Sequence, residues 1–213
     1  MLDTRNLSDR IYFLIRNKIV NNEMAPGTRI QYEELINELG VSRTPLRDAI
    51  NRLQQDGLIE VKPRSGTFVS VPKEKDIIEI YDLRKSLELL ALELSFKRIP
   101  TKVIDDLFKE IELSNVGIDK GDPNPFFTAD RLFHRTLIKY SNNQRLIQIM
   151  DTLEVQIQWF GIIITKNFTR PKQANELHIQ ILTAMKEENL EIAKELMARH
   201  IEDIKEYTIA DYS

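Results

Sequence analysis

The sequence predicts a protein of the mainly α class, with a small N-terminal domain that ends in a β-hairpin and a larger all-α domain after it. The composition is that of a folded, helix-rich chain, with 42% hydrophobic and 30% charged residues and only seven glycines among 213 residues. A strand-like pattern is confined to residues 58–71, whereas helical periodicity runs from residue 76 to about residue 210. These observations indicate two domains that meet near residue 72.

Composition also excludes several classes of protein. The chain has no cysteine, so neither disulfides nor thiolate chemistry can contribute. The longest apolar run, residues 160–165, is far too short to cross a bilayer. No apolar core of a signal peptide follows the N-terminus. We therefore expect a cytoplasmic protein that has no membrane partner.

The charge of the chain gives little information about its partners. The formal net charge is −3, with ten Lys and Arg against nine Asp and Glu up to Pro72, and twenty against twenty-four after it. This asymmetry has the right sign for a DNA-binding front part, but it is weak. Any prediction of DNA binding must rest on where the basic residues are placed.

Two short helices are predicted before residue 40. The first runs from an N-cap at Ser8 to about Asn22. Its buried stripe is predicted to consist of Ile11, Leu14, Ile15 and Ile19. A turn at residues 24–28 follows, in which Pro26 fixes φ and Gly27 can adopt a positive one. The second helix is predicted from Tyr32 to Leu39, with Leu35, Ile36 and Leu39 facing inward.

The third helix has the features of a helix that enters the DNA major groove. Gly40 permits a sharp turn before it, and Ser42 is a good N-cap. The apolar residues Leu46, Ile50 and Leu53 share one face, and the helix is expected to end near Gly57. Arg43, Thr44 and Arg47 point outward from the N-terminal end, which is the end that contacts bases in helix-turn-helix proteins.

A hairpin completes the first domain. Residues 58–62 and 67–71 alternate as strands do, and they flank the turn Pro63-Arg-Ser-Gly66. Three helices followed by a hairpin make a winged helix-turn-helix, which we assign to residues 1–72. Taken singly, the two arginines of the third helix could form an ordinary solvated face. The order helix, turn, helix and wing favours DNA contact.

The motifs of this domain resemble those of the GntR family of bacterial transcriptional regulators. The resemblance rests on Pro26-Gly27, Leu39-Gly-Val-Ser-Arg-Thr-Pro-Leu-Arg47, Arg52-Leu53, Gly57-Leu58 and Gly66-Thr-Phe-Val69. It implies that Arg43, Thr44 and Arg47 contact operator bases or phosphates. It also implies that the hairpin tip, Arg64-Ser65-Gly66, reaches the minor groove. The expected partner is a pseudo-palindromic double-stranded operator bound by a homodimer.

The remainder of the chain, 73–213, is predicted to be an antiparallel bundle of six amphipathic helices. A short link, Pro72-Lys-Glu-Lys75, precedes it, and a helix start is predicted at Asp76 because Glu79 stands in capping-box position. The six segments are 76–98, 101–118, 123–140, 143–167, 171–187 and 189–210. Breaks containing Pro, Gly or Asn separate them.

The three histidines of the chain all lie in this bundle. Asp130 and His134 are four residues apart and project from one helical face. His178 and His200 each lie eleven residues from the turn at Asn189. At a rise of ~1.5 Å per residue both histidines fall ~16 Å from that turn, at the same level of a helical hairpin. Three imidazoles and a carboxylate suit a divalent metal such as Zn or Ni, although each His could also be an ordinary buried side chain.

The same residues resemble the metal-binding pattern of the FCD effector domain carried by the FadR subfamily of GntR regulators. The matching motifs are Asp130-Arg-Leu-Phe-His134, Glu176-Leu-His178-Ile179 and the late His200. The resemblance implies that Asp130, His134, His178 and His200 hold a divalent metal in a ligand cavity. The count of six helices resembles the shorter, VanR-like variant of the domain.

Arg84 is unusual because it lies close to an apolar stripe of the first bundle helix. Glu88, four residues later, is its natural partner, so a structural ion pair is one interpretation. The resemblance implies the other, in which Arg84 lies near the effector cavity and binds a carboxylate. The sequence leaves both interpretations open.

The function expected from these patterns is that of a transcriptional regulator, a repressor rather than an enzyme, controlled by a small organic acid at the metal. Two alternatives remain. The metal could be structural or absent, with the bundle serving only dimerisation. Alternatively, the bundle could be a metalloenzyme fused to a DNA-binding module, although no general base or nucleophile stands beside the four predicted ligands. The effector, the operator and the metal cannot be named from the sequence.

Overall fold

The computed structural model describes residues 6–164 and 169–212, with the side chains of these ranges except those of residues 162–164 and Tyr212. Within these ranges the chain is mainly helical, as predicted, with nine helices and one two-stranded sheet. Contacts between Cα atoms divide the chain into two units, Met1–Lys73 with Val155–Ile162 and Glu74–Glu154 with Ile163–Ser213. The division at Lys73 falls inside the predicted link.

The first unit contains three helices and a hairpin. These are α1 (Leu7–Val20), α2 (Tyr32–Leu39), α3 (Arg43–Gln55), β1 (Ile59–Lys62) and β2 (Gly66–Val69). The two strands pair antiparallel from Ile59 opposite Val69 to Lys62 opposite Gly66. Arg29 forms an isolated bridge with Phe68, so the chain before α2 extends the hairpin by a short third strand.

The core of this unit is built by the apolar faces of α1 and α3. Ile15, Ile19, Leu46 and Leu53 are fully buried. The prediction that Leu14 faces inward is wrong, because Leu14 is 40% exposed. The buried stripe of α1 includes Tyr12 instead, and Leu14 lies about 115° from the centre of that stripe at ~100° per residue.

The N-terminus of α1 also differs from the prediction. Asn6, and not Ser8, is the N-cap, and its side chain accepts a hydrogen bond from the backbone N–H of Asp9. Asn is as good an N-cap as Ser, so composition alone does not choose between two caps that lie two residues apart. Ser42 does occupy the N-cap position of α3, with extended backbone, although its side chain makes no capping hydrogen bond.

After the link, the described residues form six helices, as predicted, and residues 155–162 of the fourth of them are grouped with the first unit. They are α4 (Glu74–Ser95), α5 (Thr101–Asp119), α6 (Asn124–Tyr140), α7 (Gln144–Ile164), α8 (Thr169–Lys186) and α9 (Leu190–Tyr212). Five of them pack in a closed order, with α4 against α9, α9 against α8, α8 against α5, α5 against α6, and α6 against α4. Helices α6 and α8 also contact each other, so the helices that carry Asp130 and all three histidines are neighbours.

The helix bounds differ from the prediction by a few residues. Helix α4 begins at Glu74 and not at Asp76, because the two charged residues before Asp76 are compatible with a first helical turn. Helix α8 begins at Thr169, so Pro171 lies inside its first turn, where proline is tolerated, and does not precede the helix. The predicted end of the fourth bundle helix at residue 167 lies outside the described residues.

In the part of the chain that the structure describes, no helix combines the length and the apolar character needed to cross a membrane.

Candidate functional site

The N-terminal half of α3 presents the basic face predicted for it. Arg43, Thr44 and Arg47 are exposed. The opposite side is anchored, because Leu46 and Leu53 have no exposed surface. No acidic residue lies in the first turn of α3. Arg43 faces Glu33 of α2 at 3.7 Å, but both side chains are more than 70% exposed, so this ion pair contributes little and can be replaced by a phosphate contact.

The hairpin tip has a backbone that suits a protruding wing. Arg64 and Gly66 both have positive φ, of 62° and 125°, which makes the turn between β1 and β2 tight. The side chains of Arg64 and Ser65 are exposed. A Cβ at Gly66 would lie 3.2 Å from Nε of Arg29, so the exposed arginine side chain would have to shift slightly.

Arg29 is a basic residue of this surface to which the sequence patterns assigned no role. It is exposed, and its guanidinium lies beside the hairpin tip. Its position follows from its pairing with Phe68 on β2. The sequence offered only a lone basic residue after Pro26-Gly27, which is too common a feature to indicate a contact.

The second unit brings the four predicted metal ligands together. One ligand atom from each of Asp130, His134, His178 and His200 lies within 4.8 Å of the other three. His134 Nε2 lies 3.2 Å from His200 Nε2, and His178 Nε2 lies 3.1 Å from that same atom. Asp130 Oδ1 is 3.6 Å from His134 Nε2 and 3.7 Å from His178 Nε2.

These separations fit the coordination shell of a single divalent ion. Metal–nitrogen bonds of about 2.0–2.1 Å at tetrahedral or right angles place neighbouring donors about 2.8–3.4 Å apart. The Nε2 distances of 3.1 and 3.2 Å lie in this interval, and the Asp130 oxygen is slightly farther away. Imidazole nitrogens with one carboxylate oxygen are donors that Zn and Ni accept. The residues therefore fit a metal.

The three imidazoles are held in an almost water-free environment. His134, His178 and His200 are at most 5% exposed. The ring of Phe133 stacks on His178 with centroids 4.2 Å apart. Within the described ranges, the Nδ1 atoms of His178 and His200 are buried without a hydrogen-bond partner. Asp130 is the open side of the cluster, since its side chain is 30% exposed.

Arg84 lies beside the cluster on α4, where it contacts both Glu88 and His134. Its Nε donates to Glu88 Oε1 at 2.7 Å, and Nη2 lies 3.0 Å from His134 Nε2. Arg84 is 4% exposed, and its guanidinium lies 5.7 Å from the centre of the Tyr81 ring. The structural ion pair with Glu88 is therefore present, and the pair lies against a predicted metal ligand.

Glu88 also belongs to this site, although the sequence indicated it only as a partner of Arg84. Its Oε2 accepts a hydrogen bond from Nδ1 of His134, while its Oε1 accepts from Arg84. Burial alone would raise the pKa of Glu88, but the charges of His134 and Arg84 outweigh burial and lower it to about 2. The carboxylate is thus ionised although it is only 2% exposed. A Glu on an otherwise apolar face was the signal available in the sequence.

Electrostatics prepare three of the four donors for a metal, whereas at His134 burial is outweighed by the charge of Glu88, which raises its pKa. Burial lowers the pKa of His178 to about 3, and it also lowers that of His200, with the charge on His134 acting in the same direction. Burial works against ionisation of Asp130, but its interaction with His134, 3.6 Å away, and the charge of Arg84 hold its pKa well below the ordinary value. His178 and His200 are therefore neutral, and Asp130 charged, at neutral pH.

Comparison with known families gives matches to both parts of the chain. The family described as bacterial regulatory proteins, gntR family, matches residues 7–69. The FCD domain matches residues 79–203, more than half of the chain.

Similar proteins match over most of their length. The HTH-type transcriptional regulator YdhC of Bacillus subtilis is 29% identical over 195 residues, which are 90% of this chain and 86% of that protein. The gluconate operon transcriptional repressor of the same organism is 30% identical over 81% of this chain and 74% of its own. Among solved structures, Escherichia coli McbR/YncC has the same fold, with a TM-score of 0.80 at 22% identity over 99% of this chain and 100% of its own.

Proposed function

Because the chain belongs to the GntR family of bacterial regulatory proteins and carries an FCD domain, we propose that this transcriptional regulator is a repressor controlled by a small organic acid. Like its relatives, it is a transcriptional regulator and not an enzyme. In this proposal residues 1–72 bind DNA, and residues 73–213 bind the effector and form a homodimer in the cytoplasm. The proposal rests mainly on the convergence of three imidazole Nε2 atoms and one carboxylate in the bundle.

The DNA-binding part of the proposal assigns operator contacts to Arg43, Thr44 and Arg47 on α3. These exposed side chains stand on a helix end whose other face is fixed in the core, so the helix can enter a major groove without rearrangement. Arg64, Ser65 and Gly66 at the hairpin tip would reach the neighbouring minor groove. A homodimer would place two such surfaces on a pseudo-palindromic operator.

The bundle part of the proposal assigns a divalent metal, Zn or Ni, to Asp130, His134, His178 and His200. When bound, the ion would supply Lewis acidity and two positive charges in a nearly dry site. Asp130 would bind the ion on the side that solvent can reach, because it is the ligand with exposed surface.

Charge balance indicates the kind of effector that this site would accept. The carboxylates of Asp130 and Glu88 and the guanidinium of Arg84 sum to one net negative charge when the histidines are neutral. A divalent ion turns this into one net positive charge, which a bound carboxylate neutralises in a region where uncompensated charge is costly. Arg84 can keep its bond to Glu88 through Nε while its terminal nitrogens bind the acid.

The proposed control of DNA binding passes along α4. This helix begins at Glu74, directly after the link, and it carries Arg84. An acid bound to Arg84 would favour one arrangement of α4 within the bundle. Because α4 follows the link directly, it would thereby favour one conformation of the link. The acid can change operator affinity only by its different affinity for the two arrangements, typically about 1–3 kcal/mol.

The test of this proposal measures operator affinity with and without acids. Duplexes selected from a random library by the zinc-loaded full chain are titrated by fluorescence anisotropy at fixed salt. A panel of simple mono-, di- and tricarboxylic acids is then added, and we expect at least one to weaken binding by roughly 5–150-fold. If acids bind the bundle by calorimetry and none changes operator affinity, effector control is rejected.

The ligand set has its own test in the double variant His134→Ala/His178→Ala. We expect elemental analysis to find stoichiometric metal in the wild type and none in the double variant. The matched control is Arg131→Ala, an exposed residue on the same helix as His134, which should keep the metal. Stoichiometric metal retained in the double variant would reject the proposed ligands.

A second candidate function is supported by the number of protein ligands. Four side chains suffice to close a tetrahedral structural site, and the three histidines are buried. In that case the metal would only stabilise the bundle as a dimerisation platform. The acid titration distinguishes the two functions, because a structural metal predicts loss of stability on metal removal and no response to any acid.

A further inference from the structure

The three histidines of the cluster differ at the nitrogen that faces away from it. The Nδ1 atoms of His178 and His200 are buried and have no hydrogen-bond partner among the residues that the structure describes. His134 Nδ1 instead donates to Glu88. Glu88 is therefore the acidic side chain that fixes one of the three rings from behind.

Glu88 is itself held in place. It lies one helical turn after Arg84 on α4, and the Arg84 Nε–Glu88 Oε1 distance is 2.7 Å. Both side chains are at most 5% exposed, so solvent does not compete for their hydrogen bonds. Since α4 packs against α6, the carboxylate is presented to His134 by the contact between two helices.

This arrangement determines the position of the proton on His134. A carboxylate can only accept hydrogen bonds, so the proton of a neutral His134 ring must lie on Nδ1. The other nitrogen, Nε2, then carries a lone pair that faces the cluster. The position of Arg84 Nη2, 3.0 Å from Nε2, agrees with this, because a guanidinium can only donate.

We propose that Glu88 is a positioning residue that fixes His134 in the Nδ1–H tautomer and increases its strength as a metal donor. The inference rests on the metal site proposed above. A carboxylate that accepts the Nδ1–H of a ligating imidazole makes Nε2 more basic and restricts the rotation of the ring. His134 is thereby the pre-oriented ligand of the site, whereas His178 and His200 are positioned by packing alone.

The first test is the metal affinity of the Glu88→Gln variant in the full chain. Zinc affinity is measured by competition with a chromophoric chelator, and we expect it to fall by about 10–100-fold. The matched control is Glu93→Gln on the same helix, which removes an exposed ion pair with Lys194 and should leave zinc affinity unchanged. Circular dichroism establishes that both variants are folded.

The second test measures the tautomer of His134 directly. Its main result comes from the metal-free wild type, so it requires neither a folded variant nor bound metal. Nitrogen-15 NMR of the histidine rings in the metal-free wild type should show His134 protonated at Nδ1. In Glu88→Gln the side-chain amide can donate as well as accept, so we expect a mixture of Nδ1–H and Nε2–H forms.

The outcomes separate this inference from the proposed function. A wild-type His134 that is protonated at Nε2, or a folded Glu88→Gln variant that binds zinc as tightly as the wild type, overturns the role of Glu88. A wild type that binds no zinc rejects the metal site itself, whereas the tautomer of His134 still tests whether Glu88 orients the ring.

Discussion

In the second unit, two buried charged residues lie against a proposed metal ligand. Arg84 and Glu88 form a buried ion pair, and each is also in contact with His134. Removing one member of such a pair leaves the other charge buried without compensation, which typically costs about 3–5 kcal/mol. Substitutions at Arg84 or Glu88 therefore change stability as well as binding, and the isosteric Glu88→Gln is preferable to a truncation.

In the first unit, Tyr12 predicts a pH dependence of stability at the residue scale. Its hydroxyl donates to Asp56 at 2.5 Å, and burial together with this carboxylate raises the pKa of Tyr12 to about 12. Between the ordinary value of 10.0 and about 12 the unfolded chain loses the phenolic proton, whereas the folded chain keeps it. The stabilising contribution is therefore complete below pH 10 and is lost as the pH rises through this interval.

The measurement compares wild type and Tyr12→Phe by denaturant unfolding from pH 9 to pH 12. We expect the free energy of unfolding of the wild type to fall more steeply above pH 10 than that of the variant. The matched control is Tyr32→Phe, the same substitution at the half-buried first residue of α2. Parallel curves for wild type and Tyr12→Phe would contradict the prediction.

At the scale of elements, the two faces of α3 differ in their exposure to solvent. One face supplies Leu46, Ile50 and Leu53 to the core, and the other leaves its N-terminal basic residues in solvent. In the proposed function, stability and DNA recognition would therefore depend on different side chains of the same helix. Substitutions on the exposed face should affect binding without affecting folding.

This separation predicts the effect of Arg47→Ala. We expect the variant to lose about 1–3 kcal/mol of specific operator binding if Arg47 contacts a base, while its melting temperature stays within about 1 °C of the wild type. Affinity is measured by gel-shift titration at fixed salt, with circular dichroism for stability. Gln55→Ala, at the exposed C-terminal end of α3, is the control. Unchanged operator affinity would remove Arg47 from the proposed contacts.

Several elements could be predicted from the sequence because their determinants are local. The bounds of α2 agree with the prediction, and Gly40 with φ of 62° ends it as a glycine in the left-handed region should. The hairpin follows from strand alternation around a turn. The helix starts at Asn6 and Thr169 could not be predicted. Neighbouring candidate start residues differ in helix-capping free energy by roughly tenths of a kcal/mol, so tertiary packing decides between them.

At the scale of the whole molecule, the metal would join helices that are distant in the sequence. The four proposed ligands come from α6, α8 and α9, so one ion would link three of the five helices that pack in a closed order. A ligand that binds only the folded state stabilises it by mass action. Metal removal should therefore be visible as a loss of global stability.

We expect stripping zinc with a chelator to lower the melting temperature of the bundle. With free zinc at a hundredfold excess over its Kd, the loss is about 2.7 kcal/mol, or roughly 5–10 °C for a unit of this size. Differential scanning calorimetry of the full chain before and after stripping measures the shift. The chelator should leave the melting temperature of His134→Ala/His178→Ala unchanged. An equal shift in that variant would mean that the metal binds elsewhere.

The set of four metal ligands was implied by the resemblance to the FCD domain. By itself, the sequence determined the class of the protein, the order of its elements and the common level of His178 and His200 in one helical hairpin. These features depend on periodicity, on capping and turn residues, and on the equal spacing of His178 and His200 from one turn, all of which act over short distances along the chain. Only the tertiary structure decided that Glu88 of α4 lies behind His134 of α6, 46 residues away. No local pattern relates these two residues, because their contact is set by how two helices pack.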